Sequence, residues 1–539
     1  MNDYVFSQGC RRRPTAPHHT RLRKRPLPPL KIMLKHLLLS ASLLLLFVTG
    51  CSRDKEEEQE APPPAAAESQ PQPSSFTCQD CHPHQLDEHH ALACTACHGG
   101  QDVSASAEEA HTDLVSRPAH PDFMTTSCGP CHAEQVSGSH VSLHFTNANE
   151  VNTLRRAFGA EHDLERADDI PVTETPTTPL ELLDDLLRRR CLRCHISYDG
   201  DNYAETLRGV GCAACHLEYS GGSLQSHAFV RRTPDQQCLH CHNSNFVGAD
   251  YYGRFEHDFH WDYRTPYQPD GREAPRPYGV EYRQLARDVH QEAGLACIDC
   301  HPGSGLMSAT PQTISCKECH AFAASATSRP ALAEVDGAVL FTTPTRSYPV
   351  PQMRHAAHQQ YGDKATCTAC HAQWTFGDTG THLFRQDAEL YDDWEALNIQ
   401  GSYEVEREIE ANLYEEGYPY PFMSDKLTGK GYFGLWHKGF ELRRWEFPLI
   451  CRDEQERLTT CRPILDLHLT WVNSDEEVIF DNAEPARAPA HGLLPYTPHT
   501  IGKAGAFFKN RLQSNSRLLE QPLYLEKGPG LNPAMEESP

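Results

Sequence analysis

Apolar positions are spread unevenly along this chain, and few stretches repeat them with a clear period. Near the start, "LLLSASLLLLFVTGC" is an apolar run of about a dozen residues that closes on Cys51, too short to span a bilayer and suited to a signal-peptide core. "LELLDDLLRRR" (180–190) predicts a short helix. "SYEVEREIEANLYEEG" puts Val405, Ile409 and Leu413 on one helical stripe, with Gly417 as a stop signal. "FELRRWEFPLI" and "ILDLHLTWVNSDEEVIFDN" alternate like strands around a polar turn. "PLICRDEQERLTTCRPIL" reads as two extended runs joined by a polar connection, a hairpin that a Cys451–Cys461 disulfide would close in an oxidising compartment. Between 76 and 382 regular structure is expected to be sparse, with short helices and long loops.

That poorly patterned stretch carries the chemistry. Eighteen of the 22 cysteines fall into nine Cys-x-x-Cys-His motifs. Their cysteines are Cys78 and Cys81, Cys94 and Cys97, Cys128 and Cys131, Cys191 and Cys194, Cys212 and Cys215, Cys238 and Cys241, Cys297 and Cys300, Cys316 and Cys319, and Cys367 and Cys370. The histidines that follow are His82, His98, His132, His195, His216, His242, His301, His320 and His371. A disulfide framework has no need of a histidine after every second cysteine, and zinc sites draw their other ligands from varied spacings. Cys-x-x-Cys-His is the signature of c-type haem attachment: two thiols add to one porphyrin edge and the adjacent imidazole becomes the proximal iron ligand. Nine covalent haems c are therefore expected. The motifs come as close pairs followed by a single, as three trihaem modules would arrange them, although the intervening sequences do not match.

Each iron would need a sixth ligand. Past Cys51 only Met124, Met307, Met353, Met423 and Met535 remain, whereas sixteen non-motif histidines lie between 84 and 382. Bis-histidine ligation follows, with His90, His111, His120, His144, His227, His260, His290, His358 and His382 as the expected distal ligands. His89, His140, His257 and His355 are close competitors, each within four residues of a chosen one.

Composition sets the surroundings. The formal charge is −24; without the first 50 residues, 40 Lys and Arg face 72 Asp and Glu, a balance of −32. Nucleic acid and anionic lipid surfaces are poor partners for such a chain, and a basic redox protein or a cationic metal species suits it better. Hydrophobic residues are only 39%, and porphyrin faces could substitute for part of a conventional core. The expected organisation is a signal peptide over 1–50 (with 1–32 a mis-assigned start before Met33), a flexible linker over 51–75 anchored by lipid on Cys51, a nonahaem cytochrome domain over 76–382, and a small haem-free β-rich domain over 383–539 acting as a buttress. Val48-Thr49-Gly50-Cys51 resembles the lipobox of bacterial lipoproteins, which implies cleavage before Cys51 and lipidation of its thiol.

The runs "AHTDLVSRPAHPDFMTTSCGPCHAEQVSGSHVSLHFT", "DVHQEAGLACIDCH", "CTACHAQWTFGDTGTH" and "LPYTPHTIGKAGAFF" resemble the multihaem c-type cytochrome lipoproteins of dissimilatory metal-reducing bacteria. The resemblance covers most of 76–510. It implies a haem-packed, loop-rich multihaem cytochrome c fold with short α-helices, distal roles for His144 and His290, and a place on the outer membrane. It also implies outward transfer of respiratory electrons to metals or a partner cytochrome, sometimes with a porin. Ser52 after the lipid cysteine is similar to outer-membrane sorting. The reading is an electron conduit without substrate chemistry. The alternative is a multihaem reductase of nitrogen, sulfur, selenium or tellurium oxyanions, which needs one iron with an open position.

Overall fold

In the computed structural model, residues 75–504 are described except 245–247, 258–275, 309–312, 323–330, 378–380, 389–401, 419–420, 439–444, 464–466 and 486–492. Cys51, the signal peptide and nearly all of the linker lie outside the described residues, as does His260.

Most of the Cys-x-x-Cys-His motifs form a single turn of helix. Cys78–Cys81, Thr95–His98, Ala213–His216, Cys297–Cys300, Cys316–His320 and Cys367–His371 are one-turn helices, and Cys191–Cys194 is a 3-10 turn. One turn is enough, because residues three apart share a helix face and so the two thiols point the same way. Loops and other short helices connect these turns, and their apolar clusters are small. One such cluster joins Met124, Val136, Phe145, Ile196 and Ala214.

The largest core lies elsewhere. Helix α1 (Ala148–Ala157) and helix α2 (Pro179–Arg189) contribute Val151, Leu182, Leu183, Leu186 and Leu187 to it. Helix α2 starts sharply. Thr178 Oγ1 accepts from Glu181 N, Glu181 Oε2 accepts from Thr178 N in return, and Pro179 takes the first helical position. Arg188 and Arg189 sit in its last turn, the end where the helix dipole favours cations.

The other side of this core is a four-stranded sheet. Strand β1 (Thr381–Gln386) lies between β2 (Leu435–Lys438), antiparallel, and β5 (Leu467–Val472), parallel; β6 (Val478–Ala483) closes the far edge, antiparallel to β5. The parallel β1–β5 pair requires a long crossover, which includes helix α3 (Tyr403–Tyr414). Val405 and Ile409 of α3 are buried in the shared core, whereas the Leu413 side chain is outside the described residues. Gly417 follows with φ +74°. A second sheet orders β3 (Leu449–Arg452), β4 (Leu458–Pro463) and β7 (Leu493–Pro495). The β3–β4 hairpin is crosslinked by Cys451 and Cys461, with Cα atoms 5.9 Å apart.

The chain is thus loop-rich with short helices and a β-rich C-terminal region. The expected division at 382/383, however, is not a boundary. Strand β1 runs across it, α2 packs on the C-terminal sheet through Leu186, Trp436 and Leu469, and residues 73–539 form one compact unit. The hydrophobic stripe of α2 has too few apolar neighbours among the motifs and finds them in the later strands.

Candidate functional site

Seven of the nine motif histidines face a second imidazole. The ring centres of His82 and His111 are 6.2 Å apart, His132 and His90 6.1 Å, His98 and His227 6.3 Å, and His242 and His144 6.2 Å. His320 and His290 stand at 6.0 Å, His301 and His499 at 6.1 Å, and His371 and His358 at 6.2 Å. Interplanar angles run from 6° to 72°. Two imidazoles bound to one iron through bonds of roughly 2 Å, each ring centre about 1.2 Å behind its nitrogen, stand about 6.4 Å apart whatever the twist between the rings. Nearly constant distance with free twist is the pattern of the seven pairs.

Backbone and carboxylate partners orient these rings. Nδ1 of His98, His216, His320 and His371 lies 3.0, 2.8, 2.7 and 2.9 Å from the carbonyls of Val115, Val230, Pro351 and Gly502. A carbonyl can only accept, so Nδ1 carries the proton and Nε2 keeps its lone pair for a metal. On the distal side, His90 Nδ1 is 2.9 Å from Asp87 Oδ1 and His290 Nδ1 is 2.8 Å from Asp288 Oδ1. Asp288 also caps the short helix Val289–Ala293. Burial pushes the His242 pKa down to about 4, helped by the neighbouring His144. Burial likewise lowers His227, His301 and His320, which favours the neutral imidazole, the form a metal would need.

The pairs also separate the expected ligands from their competitors. His89 is exposed beside Glu88, while His90 faces His132. His140 Nε2 lies 3.4 Å from Thr125 Oγ1, while His144 faces His242. His355 Nδ1 accepts from Ala357 N and caps the helix Ala356–Tyr361, while His358 faces His371. The side chain of His257 is outside the described residues. His120 lies near His195, whose pKa is lowered by burial and, among other charges, by His120. The two rings make no direct ring contact among the described residues. His216 likewise has no ring partner among them.

One expected ligand is corrected. His382 is in β1, paired in register with His468 of β5, and its Nε2 is 2.8 Å from Thr470 Oγ1. Its 6.3 Å ring spacing to His468 comes from neighbouring strands, not from opposed nitrogens, because the sheet already engages Nε2. A missed residue appears in exchange. His499 faces His301 from the C-terminal region, so the segment expected to be haem-free reaches a motif histidine. That segment is laced to two other pairs: Asp288 Oδ2 accepts from Ile501 N at 2.7 Å, and Gly502 N donates to His371 O at 2.8 Å. The trihaem modules are not self-contained either, since His227, after the fifth motif, faces His98 of the second.

The residues fit haem c on two further observations. None of the eighteen motif thiols is buried, although free cysteine is ordinarily among the most buried residues. A continuous cavity of about 2470 Å³ is lined by residues of the fourth to ninth motifs, among them Cys194, Cys215, Cys241, Cys297, Cys319 and Cys370. A single small-molecule site is roughly 300–1,000 Å³. Among the described residues no group of three or more His, Cys, Asp or Glu gathers as for a bare metal ion. Searches for relatives found no matching protein-family model, no matching curated protein and no matching solved structure.

Proposed function

We propose that this chain is an electron conduit that holds nine covalent haems c, each tied by the thiols of one Cys-x-x-Cys-His motif. The observation that carries the reading is the seven motif imidazoles that each face a second imidazole at 6.0–6.3 Å. Bound haem would supply a one-electron Fe(III)/Fe(II) couple at each motif. The chain's own part would be to hold such a group between two imidazoles, oriented through their Nδ1 atoms and kept neutral. Two imidazoles per iron favour lower potentials than a histidine–methionine pair. The acidic surface favours a cationic redox partner. A lipid on Cys51 would anchor the chain at the outer membrane, facing periplasm or cell surface.

The test is a haem count on the mature protein together with low-temperature EPR. Nine haems per chain by pyridine haemochrome, all low-spin and indifferent to nitrite, sulfite and selenite, are expected. Fewer than eight haems, or a high-spin haem that binds one of these anions, would overturn the conduit in favour of the oxyanion reductase.

A further inference from the structure

The seven imidazole pairs are alike in spacing but not in what their outer nitrogens meet. Three of them share one environment on the motif side: Nδ1 of His98, His320 and His371 faces a backbone carbonyl at 3.0, 2.7 and 2.9 Å. Their opposite rings differ. His290, which faces His320, has Asp288 Oδ1 2.8 Å from its Nδ1. His227 and His358, which face His98 and His371, each have a buried Nδ1 with no hydrogen-bond partner among the described residues. A fourth pair repeats the carboxylate: His90, facing His132, has both oxygens of Asp87 2.9 Å from its Nδ1. Neither carboxylate is free to turn away. Asp288 is buried, its Oδ1 also accepts from His290 N at 2.8 Å, and its Oδ2 accepts from Ile501 N at 2.7 Å. Asp87 Oδ2 accepts from Phe229 N at 2.9 Å, and the Phe229 ring centre lies 4.6 Å from that of His90.

Resting on the haem reading above, we infer that Asp87 and Asp288 are positioning residues that set the potentials of the third and eighth centres below those of the second and ninth. A carboxylate that accepts from Nδ1–H pushes electron density through the ring onto Nε2 and makes it a stronger donor. Its negative charge also favours Fe(III) over Fe(II), and the effect grows where water is excluded. A carbonyl carries no net charge, and an Nδ1 without an acceptor gives neither effect. The eighth pair differs from the second and ninth on the distal side alone, because all three have a carbonyl on the motif side. The plainer reading of Asp288 is a cap on the helix Val289–Ala293. A cap needs only the backbone N–H of His290, however, and leaves the Nδ1 contact unexplained. Asp87 makes the same contact at a turn that no helix follows directly. On the inferred profile, an electron shared among these four centres rests on the second or the ninth.

The experiment is an EPR-monitored redox titration of the mature, haem-loaded protein beside its Asp288→Asn and Asp87→Asn variants. Asparagine keeps the size and an acceptor oxygen, so the ring stays oriented while the charge is lost. Each variant should keep nine haems, all low-spin, and shift one potential upward, a different one in each. The centre that moves in Asp288→Asn should be the one that turns high-spin in His290→Ala. The centre that moves in Asp87→Asn should be the one that turns high-spin in His90→Ala. Asp288 also ties Ile501, so Asp87→Asn decides alone where the first variant does not fold. Unchanged potentials in the folded variants would overturn the inference and leave the haem reading intact. So would a new high-spin centre in either, because the carboxylate would then only hold the ring. A parent protein without haem at the third and eighth motifs would overturn both.

Discussion

At the scale of single residues, the decisive property is which imidazole nitrogen is free. His499 and His382 make the contrast, and a substitution at each separates them. His499→Ala removes the ring facing His301, so the haem-loaded protein should gain one high-spin EPR signal while keeping nine haems, because Cys297 and Cys300 hold the group independently. His382→Ala should leave every signal low-spin and cost about 1 kcal/mol in a denaturant melt, the net worth of its hydrogen bond to Thr470. His382 lies in a strand and His499 at a bend beyond one, and nothing in their immediate sequence tells them apart. The motif cysteines and histidines were legible because local spacing encodes them. Imidazole pairing is a long-range property, as His499 stands 198 positions after His301. His90 and His290 did carry a local signal, the aspartates in "LDEHH" and "RDVHQ" that orient their Nδ1 atoms.

At the scale of elements, helix α2 shows what the apolar pattern gave and what it hid. "LELLDDLLRRR" marks a helix, found over Pro179–Arg189. Charged side chains are almost never fully buried unless paired, and Asp184, Asp185, Arg188 and Arg189 are all buried. Asp185 accepts from Trp436 Nε1 at 2.7 Å and from Arg189 at 3.2 Å, and Arg385 of β1 approaches it at 3.4 Å. Trp436 and Arg385 come from the later strands, so the helix alone cannot reveal its burial. Asp185→Ala would leave the buried Arg189 guanidinium without its carboxylate, while Arg188 keeps Asp425 and Arg385 keeps Asp387, and should cost about 3–5 kcal/mol in chemical denaturation. The α3 helix and the β5–β6 hairpin were easier, since in each the polar stop lies next to the apolar run. In that hairpin Asn473 Oδ1 accepts from both Asp475 N and Glu477 N, a side-chain turn written into "NSDEE".

At the scale of the whole molecule, two kinds of interior share one compact unit. The sheet and helices α1–α3 have a conventional apolar core, whereas the motif region has clusters of a few residues around a large cavity. A chain made without haem attachment should therefore retain structure in one place and not the other. Hydrogen exchange on such material is expected to protect 179–189, 381–386 and 467–472 while the motif turns exchange freely. Uniform protection of both regions would show that the motif region holds itself together without haem. Composition hinted at this through the low apolar content, but it could not show that the core is assembled from both halves of the sequence.

The reach of His499 to His301 also sets a clock on biogenesis. Chains are synthesised from the N-terminus at roughly 5–20 residues per second, so the offset of 198 positions between these rings delays the second by about 10–40 s. Once residue 371 is made, well inside that interval, all nine motifs are present, yet the seventh lacks its partner imidazole. A chain cut short before residue 499 would carry a full complement of attachment sites and still betray itself by one reactive iron. Complete synthesis would then be legible in the spectrum of a single centre.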